Sequence, residues 1–196
     1  MTIGARVRSN SWLALVGAIV FVGAAGYMIV TGVWSRSDAG PVGVRTGLLD
    51  NHRLALGEPA PDFALASVRG EGKVIRLSEF RGQVVVVNFY ASWCGPCRRE
   101  LPDFEIIAGE FKNSVAFIAV NVQESQANAL RILDETGATF PAVLDTKGDV
   151  ARRYGLRGMP STYLLDASGV VRKFGPGAID ADTLRQELKG VVGKAP

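Results

Sequence analysis

The sequence predicts an α/β domain built on a mixed sheet and set behind an apolar N-terminal segment. Three observations carry this. Val84–Val87 are four valines in a row, extended by Asn88, Phe89 and Tyr90. Such a run is too short for a membrane span but suits a strand buried on both faces. Beyond the Cys94-Gly95-Pro96-Cys97 turn the period changes: Leu101, Phe104, Ala108 and Phe111 recur at spacings of three and four, one face of a helix. A second apolar run, Val115–Val122, follows, and helix and strand patterns then alternate to the C-terminus.

The chain has 196 residues, room for one domain plus an appendage. Its 22 basic and 19 acidic residues leave a net charge of +3, and no basic run is interleaved with aromatics, so nucleic-acid binding is not expected. Residues 1–10 are polar with Arg6 and Arg8 and no acid. Ser11–Trp34 contains no charged residue, and about 20 such residues cross a bilayer core as a helix. A cleavable signal peptide has a core of about 7–15 residues, whereas here Tyr27–Val30 continue the run beyond the small residues Ala24-Ala25-Gly26. The expectation is an uncleaved anchor with Trp12 and Trp34 near the two interfaces. No cysteine follows it closely, which argues against lipoprotein processing.

Residues 35–56 hold Gly40, Pro41, Gly43 and Gly47 without periodicity and read as a tether. His52 in this stretch reads as a solvated side chain without a role. The folded domain is expected over 57–196. Phe63 and Leu65 alternate with smaller residues, Arg69–Gly72 turns the chain and Val74–Leu77 returns, a β-hairpin. Ser78 is expected to cap a short turn through Phe80, and Gly82 releases the chain into the central strand. After Val115–Val122, Ser125–Thr136 carries helix formers closed by Gly137, and Pro141–Leu144 is a short strand. Asp149–Tyr154 reads as a short helix before Gly155, Tyr163–Leu165 as a strand, and Val170–Phe174 as the edge strand. Asp180–Val192, with Leu184 and Leu188 on one face, closes the domain as a helix.

The cysteine pair sits at a strand-to-helix turn, and that placement is chemical. Thiolate is the attacking species in thiol–disulfide exchange, and unpaired N–H groups at a helix N-terminus favour it. Cys94 is therefore the expected exposed nucleophile, and Cys97, one turn further in, closes on it. Pro96 fits the first helical turn at little cost. A zinc site needs a second pair of ligands, and the chain offers only these two cysteines and one histidine. A purely structural role fits poorly, because so short a loop barely constrains the unfolded chain.

Trp93-Cys94-Gly95-Pro96-Cys97 resembles the active site of the thioredoxin superfamily. The wider NFYASWCGPCRRELP is similar to the membrane-anchored branch typified by the TlpA, ResA and CcmG thiol–disulfide oxidoreductases. The resemblance runs from about Gly57 to about Val191. It implies a thioredoxin-like α/β fold, a central mixed β-sheet flanked by helices, with an N-terminal β-hairpin and a central helix–strand insertion. It implies Cys94, Cys97 and Glu100 as catalytic residues and Trp93, Met159 and Pro160 as substrate-binding ones. Pro160 would be a cis-proline facing the pair, with the Met159 backbone receiving a substrate strand. In thioredoxins a buried aspartate precedes the first cysteine by six residues. Asn88 stands there and cannot take up a proton, whereas Glu100 shares a helix face with Cys97 and would shuttle protons if buried.

The implied activity is exchange of a Cys94–Cys97 dithiol with protein disulfides, with no metal and no cofactor beyond that redox-active disulfide. Resemblance to ResA and CcmG further implies reduction of the haem-binding cysteines of apocytochrome c, with electrons from a CcdA/DsbD-like membrane protein. The family works outside the cytoplasm, so the expected placement is the bacterial cell membrane, single-pass, N-terminus inside and domain outside. The alternatives are a disulfide-forming oxidant, a general reductant of exported proteins, or a non-catalytic thioredoxin-like binding module. Peroxidase chemistry is disfavoured, since Ala91 stands where peroxiredoxins carry a threonine.

Overall fold

The structure, a computed structural model, describes residues 54–193. The segment Ser11–Trp34, its flanking Arg6 and Arg8, and His52 lie outside the described residues. Among the described residues, no helix is long and apolar enough to cross a membrane.

Seven strands form one sheet: β1 Ala64–Ser67, β2 Val74–Arg76, β3 Val84–Tyr90, β4 Val115–Val122, β5 Ala142–Asp145, β6 Ser161–Leu165 and β7 Val171–Pro176. Their order is β2-β1-β5-β4-β3-β6-β7. β3 pairs parallel with β4, and β4 with β5, while the other neighbours run antiparallel. The helices are α1 Gly95–Glu110, α2 Gln126–Thr136, α3 Asp149–Arg153 and α4 Ala181–Val192. The thioredoxin-like α/β fold, the hairpin β1–β2 and the inserted α2–β5 unit are all present.

Every residue of β3 is buried, because the strand lies in the middle of the sheet with both faces covered. The two-residue period then sorts its side chains. Val84, Val86 and Tyr90 join the core that α1, α2 and α4 build, with Leu101, Phe104 and Ile107 above them. Val85, Val87 and Phe89 face the opposite core around Tyr154 and Tyr163. Asn88 has the parity of the first set, so its amide points under α1. This places a polar group beneath the active-site helix. Phe104 is fully buried and meets Phe117 edge-on at 6.3 Å. Phe104→Ala should therefore cost about 3–5 kcal/mol in denaturant unfolding of the full-length chain.

Side chains cap α2 and α4. Ser125 accepts the Asn128 N–H for α2, and Asp180 accepts the Thr183 N–H for α4. Ser78 departs from expectation. The short turn is a 3-10 helix, Leu77–Phe80, with Arg76 at its start and no side-chain cap. The Asp62 carboxylate reaches back to accept the Ser78 N–H at 3.0 Å, so a longer-range acceptor replaces the local hydroxyl. Leu54, within the expected tether, is already buried against the second core.

Candidate active site

Strand β3 ends at Tyr90, and Ala91–Trp93 carry the chain over the sheet edge into α1. Cys94 is the N-cap of α1, and its sulfur accepts the Cys97 N–H at 3.1 Å. The helix therefore offers an N–H to the sulfur that must carry negative charge when the pair is reduced. In the structure the two cysteines form a disulfide, with their Cα atoms 5.3 Å apart. Cys94 is only 3% exposed, against 0% for Cys97. The exposed nucleophile expected from the sequence is thus covered in the disulfide state. Its sulfur is turned inward to Cys97 and belongs to the first core, with Met159 packed against that core. Trp93, at 70% exposed, is the open feature of the motif.

Glu100 lies on the inward stripe of α1 together with Cys97, Leu101, Phe104 and Ile107. It is 2% exposed. A buried carboxyl needs partners, and it has two. Asn88 Nδ2 donates to Oε1 at 2.9 Å, and the Ile179 backbone N–H donates to Oε2 at 3.2 Å. Burial pushes the Glu100 carboxyl up to about 7, while the hydrogen bonds from Asn88 and Ile179 pull it partly back. Asn88 Nδ2 also donates to Thr162 Oγ1 at 3.1 Å, and its Oδ1 is buried without a partner. Gly175 of β7 packs against the Ile179 side chain. A Cβ there would lie 2.4 Å from Ile179 Cδ1, so a larger residue would have to displace the tip of the Ile179 side chain.

The Met159–Pro160 bond is cis. Met159 and Trp93 line one groove, with Val122, Leu156 and Arg157 among its other walls. The structure thus brings Trp93 and Met159 to one surface, and Cys97 and Glu100 to one face of α1. Among the described residues, no group of three or more His, Cys, Asp and Glu side chains is placed to hold a metal ion.

Three contributors escape sequence reasoning. The Ile179 N–H is a backbone group with no residue signature, and Asn88 was read only as a missing aspartate. The third is Glu124, just after β4. Its carboxylate accepts the Ser92 N–H at 2.7 Å, the Ser92 hydroxyl at 2.5 Å and Asn121 Nδ2 at 2.8 Å. Arg98 Nη2 donates to the Ser92 carbonyl at 3.0 Å from the other side. Both polar ends of Ser92 are held, which fixes the loop leading into Cys94. Glu124→Ala strands those donors and should cost about 2–3 kcal/mol in unfolding, with Glu124→Gln costing less.

The model of the AhpC/TSA family matches residues 56–174, spanning the pair, Glu100 and the cis-proline. The chain belongs to this family. A thiol-disulfide oxidoreductase ResA of Geobacillus thermodenitrificans is 37% identical over 70% of this chain and 79% of its own. The thioredoxin-like protein YneN of Bacillus subtilis is 31% identical over 91% of this chain and 97% of its own. Among solved structures, a Chlorobium tepidum chain assigned as the thiol:disulfide interchange protein DsbE superposes with a TM-score of 0.66. It is 36% identical and covers 71% of this chain and 99% of its own. With the Cys94–Cys97 pair in place, this family member is a thiol–disulfide oxidoreductase acting on protein disulfides.

Proposed function

We propose that the chain is a membrane-tethered, extracytoplasmic reductant of protein disulfides that serves cytochrome c maturation. The observation that carries the reductive chemistry is the Cys94 sulfur at the N-cap of α1, receiving the Cys97 N–H at 3.1 Å. On reduction, the same N–H and its helix dipole stabilise a Cys94 thiolate. That thiolate attacks one sulfur of a substrate disulfide; a new S–S bond forms, the substrate S–S breaks, and the released thiolate takes a proton. Cys97 loses its proton and attacks the Cys94 sulfur; the Cys94–substrate S–S bond breaks, and the second substrate thiolate leaves and takes a proton. The products are a substrate dithiol and the Cys94–Cys97 disulfide, two electrons having passed to the substrate. Glu100 is the group placed to hold the proton exchanged with Cys97, being buried and ionising near neutral pH. A CcdA/DsbD-like membrane protein would return two electrons.

Membrane tethering rests on the uncharged segment Ser11–Trp34, and the cytochrome c substrate on the resemblance to ResA and CcmG. The deciding experiment is the reduction potential of Cys94–Cys97, measured in the full-length chain in nonionic detergent. A value near about −270 mV or lower fits a dedicated reductant fed by a membrane donor. A value near about −120 mV belongs to an oxidant and would overturn the assignment.

A further inference from the structure

The groove beside the cysteine pair has a floor, an apolar wall and a rim of one charge. At its cysteine end stand Trp93 and Met159, and on the far side Ala151 and Leu156 supply apolar surface. Its volume is about 440 Å³, enough for a few side chains of an extended peptide. Gln123 forms the floor. It is the only non-glycine among the described residues with φ in the left-handed region, at 57°, and its N–H is fixed by the Asp145 carbonyl at 3.0 Å. Gly148 opposite makes room for it, since a Cβ there would lie 3.0 Å from the Gln123 side chain. The Gln123 carboxamide is exposed and engages no other group among the described residues, so its donor and acceptor remain for an incoming backbone.

The rim is cationic. Arg152 and Arg157 line the groove, and no carboxylate does. Arg152 is committed to Asp149 and to the Lys147 carbonyl. Arg157 is exposed and has no hydrogen bond or ion pair among the described residues. Glu124, next to Gln123 in the chain, keeps its charge but turns its carboxylate to Ser92 and Asn121 and does not line the groove. The stretch 147–157 carries Lys147, Arg152, Arg153 and Arg157 against the single carboxylate of Asp149. A cleft walled by low-dielectric groups and lined by one sign of charge raises the local concentration of the opposite charge.

We propose that this groove takes an extended substrate segment bearing an acidic side chain beside its disulfide, with Arg157 as the cation that selects it. The assignment rests on the oxidoreductase reading of the site and adds to it the chemistry of the preferred substrate. Trp93, Met159 and Leu156 cover the apolar part of the segment, Gln123 engages its backbone, and Arg157 meets the carboxylate. Exposed charges of this kind act chiefly on encounter rates, so the preference depends on salt.

The test uses the reduced full-length chain in nonionic detergent and two disulfide-closed peptides that differ only in glutamates or lysines flanking the cysteines. At about 20 mM salt the glutamate peptide should be reduced with a kcat/KM about fivefold higher, and by about 0.5 M salt the two rates should converge. Arg157→Gln should level the two peptides, and Arg157→Glu should reverse their order. All variants should reduce the small neutral hydroxyethyl disulfide at the wild-type rate. Equal rates on both peptides at low salt, with that neutral activity intact, would overturn the groove assignment alone. A preference that survives Arg157→Glu would overturn it equally. Loss of the neutral activity in the wild-type chain would instead remove the oxidoreductase reading on which the assignment stands.

Discussion

Cys97→Ser should leave the chain joined to its substrate by a Cys94 mixed disulfide and lower turnover by at least about a thousandfold. The first half of the exchange needs only the Cys94 thiolate. The helix N-terminus that stabilises it is unaltered, because the N–H that Cys94 sulfur accepts belongs to the backbone of residue 97. The second half needs a thiol within bonding reach, and Cys97 alone among the described residues supplies one. Serine is close in size, so the fully buried site should tolerate it. The adduct should appear on non-reducing gels and vanish with dithiothreitol. Cys94→Ser should give neither adduct nor turnover. A Cys94→Ser chain that still captured substrate would reverse the assignment of nucleophile and resolving cysteine.

The parts of this molecule that were legible from sequence are those set by period. The valine run marked β3 as buried, and spacings of three and four marked the inward face of α1, although Ile107 rather than Ala108 completes its fully buried stripe. Ser125 and Asp180, read only as the first residues of their helices, are the caps just outside them, whereas Ser78, the one residue read as a cap, is not. What escaped was made by residues far apart in the chain. The parity of β3 puts Asn88 beneath α1, and the stripe of α1 puts Glu100 above it, so the contact between them follows from two periods read together. Glu124 and Ser92 meet only because β4 lies beside β3 in the sheet. Asp62 and Ser78 meet because β1 pairs antiparallel with β2, Ala64 opposite Arg76, which brings the residues just before and just after the hairpin together. Local propensity contains neither fact. Cys94 shows a different gap: the structure holds the disulfide, in which Cys94 is buried, and a sequence carries no oxidation state.

Glu100→Gln should lower turnover by about tenfold to a hundredfold and remove a limb near neutral pH from the rate profile. Desolvation raises the carboxyl to about 7, against an ordinary value of 4.5. Between these two values the folded chain holds a proton that the unfolded chain has released. The contribution of Glu100 to folding is therefore most favourable below about 4.5 and is lost as pH rises through about 7. That loss is on the order of 3 kcal/mol. Glu100→Gln should accordingly flatten the stability profile across this window and gain relative to wild type above it. The substitution suits the site because Asn88 can adapt. Its Nδ2 now donates to the carboxylate, while its Oδ1 is buried and unpartnered. Turning the Asn88 amide brings Oδ1 to the new Gln N–H, leaves Gln Oε1 for the Ile179 N–H, and lets the Thr162 hydroxyl become the donor. The same turn would serve a protonated Glu100, whose O–H needs an acceptor where the carboxylate needed a donor. Asn88 can thus offer Glu100 a donor or an acceptor, the turned amide placing its N–H groups where Oδ1 now lacks a partner, whereas aspartate at this position would place two acids in contact. The measurement is single-turnover reduction of a model disulfide from pH 5 to 9, wild type beside Glu100→Gln. Superimposable profiles would place the proton exchanged with Cys97 on solvent and leave Glu100 a structural group.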